Sequence, residues 1–246
     1  MERSYYLHRI SHEGNVSYSL MDEGIITLGW SKFSDTEIMR AAREEGYPDF
    51  NPITEKLGEG SNRSRWCMWY FAQMKVGDYV LVPLYEGKFS VFEVIDQAKP
   101  IMELEKDIPS FYGKWDGHNI TWNDGLLFDE AENRGIDLGF FIRVKPVVRD
   151  IPRSYAVGKL ISRMKIRSTS ADITDLADLV ETSVKAGKEN KPITLYGSVI
   201  DSLVKDMRNA INVTLSPDEF EHLIKWYLKR CGATSVWIPA KNQSGK

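Results

Sequence analysis

Apolar and polar residues alternate most regularly between residues 79 and 95, in the run YVLVPLYEGKFSVFEVI. Several of the apolar positions are β-branched, and Glu86 and Gly87 interrupt the run with turn-forming residues. Alternation broken by a turn favours two paired strands over a helix. The pattern therefore predicts a β-hairpin, and a hairpin preceded by aromatic residues is typical of a small barrel or curled sheet.

Other segments carry weaker strand patterns or clear helix signals. Strands are predicted at residues 4–10, 25–30, 139–149 and 234–240, with a turn at 14–15 and a loop over 108–125. Helices are predicted at residues 35–46, 64–74, 169–185, 193–213 and 217–231. The clearest helix start is Ser216-Pro217-Asp218-Glu219, in which Ser216 caps and Glu219 completes a capping box.

Composition places the chain among globular proteins. Its 246 residues, of which 42% are hydrophobic and 27% charged, allow one large or two ordinary domains. No apolar run reaches the roughly 18 residues of a spanning helix, and the first residues lack the apolar region of a signal peptide. Cys67 and Cys231 alone exclude a disulfide framework and a cysteine-based zinc site. We therefore expect a cytoplasmic protein with no membrane partner.

Two segments of the first half, residues 24–35 and 65–96, together resemble the EVE-like branch of the PUA-like superfamily, small β-barrels that read modified or flipped bases. The resemblance covers residues 4–165. The matching marks are Gly29-Trp30, the aromatic helix with Phe71, the turn Val76-Gly77-Asp78, Pro83 and the return strand 91–95.

Residues 215–238 are similar to the opening helix and strand of Mrr-type restriction endonuclease-like domains. In that family an Asp and a Glu-x-Lys cluster follow the strand, where they hold a divalent metal and activate water. The sequence ends at Lys246 before such a cluster, so a fragment or natural truncation that does not cut DNA is expected. Glu221 is the only catalytic candidate, and one carboxylate cannot form a hard-cation site. No cofactor is expected in this chain, and Mg²⁺ only with a complete nuclease domain.

The two resemblances imply an α+β protein: a small PUA/EVE-like β-barrel with flanking helices, followed by a mainly helical C-terminal segment. The implied domains are a modified-base-reading barrel at 1–167, a helical linker or subdomain at 168–213, and the truncated start of a restriction endonuclease-like domain at 214–246.

A flipped base needs a flat apolar surface for stacking and a few hydrogen bonds at its edge. Trp30, at a strand end with Ser31 beside it, could provide both, although a Trp that fills the barrel end gives the same pattern. Trp69 shares a helical stripe that is more typical of a core, whereas Phe71 points away from it and could line the pocket or be exposed. Large aromatics on a loop often contact ligands, and two such residues complete the candidate set of Trp30, Ser31, Trp69, Phe71, Trp115 and Trp122.

Local charge supplies an independent indication of nucleic acid. The net charge is −3, but residues 143–167 contain eight basic residues and one acid, Asp150. Such a run is either a solvated face or a surface that contacts phosphates. The candidate backbone contacts are Arg63, Arg65, Arg143, Lys145, Arg149, Arg153, Lys159, Arg163, Lys165 and Arg167.

The expected function is recognition of modified, flipped bases in DNA, as the specificity part of a modification-dependent restriction endonuclease-like protein in bacterial defence. The expected partner is DNA, and the C-terminal helices could form a homo-oligomer. Two alternatives stay open: the N-terminal part of an active metal-dependent nuclease, and a module that binds RNA or protein. The fold does not decide among them.

Overall fold

The computed structural model of the chain describes residues 3–10, 12–34, 36–44, 62–193 and 195–238. It divides into two compact units, residues 1–193 and 194–246. The helices are α1 (Gly14–Asp22), α2 (Thr36–Glu44), α3 (Asn62–Gln73), α4 (Gly158–Arg163), α5 (Ala177–Lys188), α6 (Leu195–Thr214) and α7 (Pro217–Arg230). The strands are β1 (Tyr5–His8), β2 (Ile25–Leu28), β3 (Tyr79–Pro83), β4 (Lys88–Val94), β5 (Lys99–Pro100), β6 (Phe111–Tyr112), β7 (Asn119–Asn123), β8 (Leu126–Asp129), β9 (Arg134–Gly135), β10 (Phe140–Pro152) and β11 (Ser170–Asp172).

The main sheet of the first unit has the strand order β11-β1-β3-β4-β10-β2, and β5 also pairs with β10. β1 and β3 are parallel, whereas the other pairs are antiparallel. β10 pairs with β2 and β5 through its first residues and with β4 through the rest, with register shifts on either side of Val148. Irregular pairing of this kind bends a strand and increases its twist. The result is a curled mixed sheet, which confirms the predicted α+β class.

The main sheet is covered on both faces, because alternate residues of its central strands enter different cores. In β3, Val80 and Val82 belong to a first core that also contains side chains of α2 and α3. Tyr79 and Leu81 belong to a second core, which includes side chains of α4 and α5. Burial of each large apolar side chain contributes about 1.5–3 kcal/mol, so both helix layers stabilise the sheet.

A second sheet, with the antiparallel order β6-β7-β8-β9, packs with α1 around a third core. Asp124 and Gly125 join β7 to β8 with φ values of 50° and 74°. Two left-handed residues in succession are typical of a tight hairpin turn. The loop predicted over residues 108–125 is therefore wrong, since two strands of this sheet lie within it.

Most local predictions are confirmed, including the β3–β4 hairpin and helices α2, α3, α6 and α7. The capping box is formed: Ser216 Oγ accepts a hydrogen bond from Glu219 N at 3.4 Å, and the Glu219 carboxylate accepts one from Ser216 N at 2.8 Å. Three further local predictions are wrong: the turn at 14–15 begins α1, residues 170–172 form a strand rather than helix, and residues 234–238 form no strand.

The predicted domain boundary near residues 165–170 falls inside the first unit. β11 pairs with β1 in the main sheet, and α5 contributes Val180 and Val184 to the second core. Residues 170–188 therefore belong to the first unit rather than to a separate helical linker. No helix in the described part of the chain is long and apolar enough to cross a membrane.

Candidate functional site

The chain turns sharply after β2 at Gly29-Trp30-Ser31, which we call the Trp30 corner. Trp30 has φ 73° and ψ 44°, a left-handed conformation that bulky residues rarely adopt. Its half-buried ring packs against the first core and against Phe33, with 5.6 Å between ring centroids. A strained backbone persists only where the surrounding structure holds it, and such positions cluster at ligand-binding sites.

Neighbouring residues hold this corner in place. Asp137 Oδ1 accepts hydrogen bonds from both Ser31 N and Ser31 Oγ, each at 2.8 Å. A Cβ atom added at Gly139 would lie 2.5 Å from Trp30 O, and one added at Gly29 would lie 2.4 Å from His12 Nε2. The corner therefore requires glycine at residue 139, where the clash is with backbone, whereas at Gly29 the His12 side chain could move aside. It presents an indole ring beside a hydroxyl–carboxylate pair.

A small cavity of about 10 Å³, lined in part by Arg9, His12, Gly29 and Thr169, lies next to the corner. A guanidinium nitrogen of Arg9 donates to Met164 O, while its Nε is buried and has no hydrogen-bond partner among the described residues. A buried donor without an acceptor is uncommon in folded proteins. The corner thus has a charged hydrogen-bond donor close to it.

The other predicted aromatic residues separate by burial. Phe71 is 0% exposed and lies in the first core, so the prediction that it lines a pocket or is exposed is wrong. The Phe71 ring lies 5.4 Å from the ring of His8 on β1, so Phe71 is on the face of α3 that the sheet covers. Trp69 is half-buried against the same core, as its stripe predicted. Trp122 lies on β7, where Nε1 donates to Ile108 O at 2.7 Å and the ring packs against the third core.

Trp115 differs from these residues because 57% of its surface is exposed. Its ring contacts Tyr18 and Tyr85, with centroids 5.4 Å from each, and the Tyr18 and Tyr85 centroids are 5.2 Å apart. These three rings border a cavity of about 160 Å³, which we call the aromatic cavity. Arg149, predicted as a backbone contact, also lines it. Sequence reasoning missed Tyr18 and Tyr85, since neither stands in a recognisable motif.

Four of the eight basic residues in the run 143–167 pair with acids from other segments. Lys145 Nζ lies 2.9 Å from a Glu93 oxygen, and Arg163 lies 3.0 Å from an Asp175 oxygen. The remaining residues of the set divide as follows: Arg143 pairs with Asp107, Arg149 lies 3.9 Å from Asp22, Arg153 has a buried Nε, and Lys159, Lys165 and Arg167 are exposed. The side chains of Arg63 and Arg65 lie outside the described part of the chain. The charge excess in the sequence therefore overstates the charge available to phosphates.

Within the described residues, one group has metal-ligand character: Asp116, His118 and Asp129, whose candidate atoms lie within 4.8 Å of one another. Asp129 Oδ1 already accepts backbone hydrogen bonds at 2.9 and 3.0 Å, and its Oδ2 lies 3.1 Å from His118 Nδ1. The hydrogen bond to Asp129 raises the pKa of His118. These contacts close the loops around β7 and give the group a structural role. Glu221 is exposed on α7, apart from this group in sequence.

No protein-family model, no curated protein and no solved structure matches this chain. The function therefore has to be inferred from the Trp30 corner, the aromatic cavity and the distribution of charge. Each of these features lies within the first unit.

Proposed function

We propose that the first unit is a nucleic-acid-binding module that recognises a modified, flipped base in DNA, and that the base is accepted at the Trp30 corner. The observation that carries this proposal is the left-handed Trp30, held beside the Ser31–Asp137 pair. An indole supplies a stacking surface, and the neighbouring polar groups can pair with the edge of a base. The curled sheet is then a barrel of the EVE-like branch of the PUA-like superfamily.

Positive charge near the corner supports contact with a nucleic-acid backbone. Arg9 N donates to Thr169 O at 2.6 Å, which ties the end of β1 to the segment that follows α4. That segment carries the exposed side chains of Lys165 and Arg167, and α4 carries that of Lys159. Cations of this kind contribute affinity without sequence preference, so the base contact at Trp30 would provide the selectivity.

The second unit then corresponds to the start of an Mrr-type restriction endonuclease-like domain, and the whole protein to a modification-dependent system of bacterial defence in the cytoplasm. Mg²⁺ would be needed only with a complete nuclease core, to which Glu221 could contribute one carboxylate. Large apolar side chains are exposed on both helices of this unit, among them Met207 on α6 and Trp226 on α7. Exposed apolar surface of this kind supports homo-oligomerisation through α6 and α7.

The proposal is tested by measuring dissociation constants for matched DNA duplexes that are unmodified or carry modified cytosines. The wild-type chain should bind a modified duplex more tightly, and Trp30→Ala should reduce its affinity to that for the plain duplex. Removal of one base-stacking contact weakens binding about fivefold or more. Trp237→Ala, at an exposed residue of the second unit, is the matched control and should retain the preference.

Thermal unfolding of both variants separates loss of stacking from loss of fold. Equal, weak binding of the wild type to every duplex would contradict base reading. Tighter binding of a matched RNA in competition would instead assign the first unit to RNA.

A further inference from the structure

The aromatic cavity is distinct from the Trp30 corner, since it shares no lining residue with the small cavity beside that corner. Its walls come from α1, the β3–β4 connection, the loop after β6 and the irregular part of β10. Four separate segments converge on it, and all of them lie in the first unit. The proposed base reading at Trp30 makes no use of this cavity.

Two of the three rings that border the cavity are exposed, and the loop that carries one of them is held in place. Tyr85 is 60% and Trp115 57% exposed, whereas Tyr18 behind them is buried. Asn15 fixes the loop to α1, because its Oδ1 accepts from Trp115 N at 2.7 Å and its backbone O accepts from Lys114 N at 3.1 Å. The Tyr85 and Trp115 rings meet at 71°, so a planar ligand that stacks on one of them meets the other edge-on. The loop that carries Trp115 is ordered before a ligand binds, which lowers the entropy cost of binding.

The charges around the cavity compensate one another. Lys114 Nζ lies 2.7 Å from Asp22 Oδ2, and Arg149 lies 3.9 Å from Oδ1 of the same carboxylate. Lys88 Nζ lies 2.9 Å from a Glu86 oxygen. Because these cations already have acidic partners, the site favours a neutral ligand over a phosphate.

A polar group also reaches the cavity from its floor. Ser90 is buried, and its Oγ accepts a hydrogen bond from Asp150 N at 2.9 Å. A hydroxyl carries one donor as well, and no acceptor for it occurs among the described residues. The floor therefore offers a hydrogen-bond donor, and Asp150 offers a carboxylate at the rim.

We infer that the aromatic cavity binds one neutral, planar heterocycle of nucleobase size, stacked on Trp115 with Tyr85 against its edge, as a second base-binding position of the first unit. Its volume of about 160 Å³ lies below the roughly 300 Å³ at which pockets for drug-sized ligands begin. The cavity therefore admits the ring system of the base, while the sugar and any phosphate remain outside. The base can belong to a free nucleoside or to a single strand.

The test titrates the full chain with each of the four deoxynucleosides and with a short single-stranded oligonucleotide, followed by calorimetry. Saturable binding is expected. Trp115→Ala should weaken it about fivefold or more, the smallest effect usual for a stacked base, and Tyr85→Ala about two- to tenfold, as for an edge-to-face contact. Trp115→Phe should restore most of the affinity. A preference for the oligonucleotide over every nucleoside assigns the cavity to a strand, and the reverse assigns it to a free ligand.

Matched controls separate this inference from the proposed function. Trp237→Ala should bind deoxynucleosides as the wild type does, whereas loss of the preference for modified duplexes in Trp30→Ala tests only the proposed function. A 5′-phosphate on the nucleoside should change the affinity less than about threefold, because the nearby cations are paired. The inference is overturned by the absence of deoxynucleoside binding to the wild type, by unchanged binding in Trp115→Ala, or by a tenfold gain from the phosphate.

Discussion

At the scale of single residues, His8 shows how a titratable group is built into the interior. It is fully buried in β1, with Nε2 3.0 Å from Thr27 O and Nδ1 2.9 Å from Ser170 Oγ. Since a carbonyl oxygen only accepts, Nε2 carries the proton and Nδ1 accepts from the Ser170 hydroxyl. The neutral ring thus connects β1 with β2 and β11, and burial lowers the pKa of His8 to about 4.

This burial predicts that the protein loses stability as the solution is acidified. Between about pH 6.5 and pH 4 the unfolded chain binds a proton at His8 that the folded chain does not, so the free energy of unfolding falls with falling pH. The loss is at most about 1.4 kcal/mol per pH unit. Urea unfolding across this range should show a shallower pH dependence for His8→Gln, which is itself less stable near neutral pH.

His222→Gln, at an exposed residue of α7, is the control for this experiment and should keep the wild-type slope. Identical slopes in the wild type and His8→Gln would show that other groups cause the acid sensitivity.

At the scale of elements, α5 approaches β10 so closely that a glycine is required at the contact. A Cβ atom at Gly187 would lie 2.9 Å from Val148 Cγ2 and 3.0 Å from Ile151 Cγ2. Both neighbours are β-branched and have little rotamer freedom, so they cannot move aside easily. A larger residue at this position would therefore have to displace Val148 and Ile151.

Two opposing effects decide the outcome of Gly187→Ala. Alanine favours a helix over glycine by about 1 kcal/mol, whereas overpacking a core costs about 1–3 kcal/mol. We expect the clash to dominate and the free energy of unfolding to fall by about 1 kcal/mol. Gly158→Ala in α4 is the matched control, since a Cβ atom there meets nothing within 4 Å, and it should be neutral or slightly stabilising. Denaturant unfolding measures both, and a stabilised Gly187→Ala would show that the sheet yields at this contact.

Elements with local signals were predictable from the sequence, while those that depend on distant contacts were not. The capping box of α7 and the β3–β4 hairpin are each specified within a few residues. By contrast, α1 begins after Glu13, which has φ 46° and no side-chain cap, so its first residues resemble a turn. β11 forms because Ser170 and its neighbours pair with β1, more than 160 residues away. The residues around Ser170 carry no local pattern that predicts this pairing.

The candidate sites follow the same rule. Trp30 and Ser31 are adjacent in sequence, and a resemblance could point to both. The aromatic cavity combines Tyr18, Tyr85 and Trp115 from separate segments, so that only Trp115 could be suspected from its loop. Phe71 was misplaced because helical spacing identifies the faces of α3 but not which of them the sheet covers.

At the scale of the whole molecule, both candidate binding sites and all three cores lie within residues 1–193. The surface of this unit is less basic than its sequence indicates. Four of the eight basic residues in 143–167 pair with acids from outside that stretch, and three remain exposed: Lys159, Lys165 and Arg167. A cation that pairs with an acid in the folded protein is not available to contact a phosphate.

The salt dependence of DNA binding follows from this pairing. The logarithm of the binding constant falls with the logarithm of salt concentration by about 0.9 for each neutralised phosphate. Eight contacts would give a slope of about −7, whereas the three exposed cations give about −3. We expect the shallower slope of about −3 for duplex DNA. Replacing Lys165 and Arg167 by Gln should remove two phosphate contacts and bring the slope to about −1. Lys145→Gln, which removes a cation already paired with Glu93, should leave the slope unchanged. A wild-type slope near −7 would mean that DNA displaces the acids and that the ion pairs of the free protein do not limit its charge.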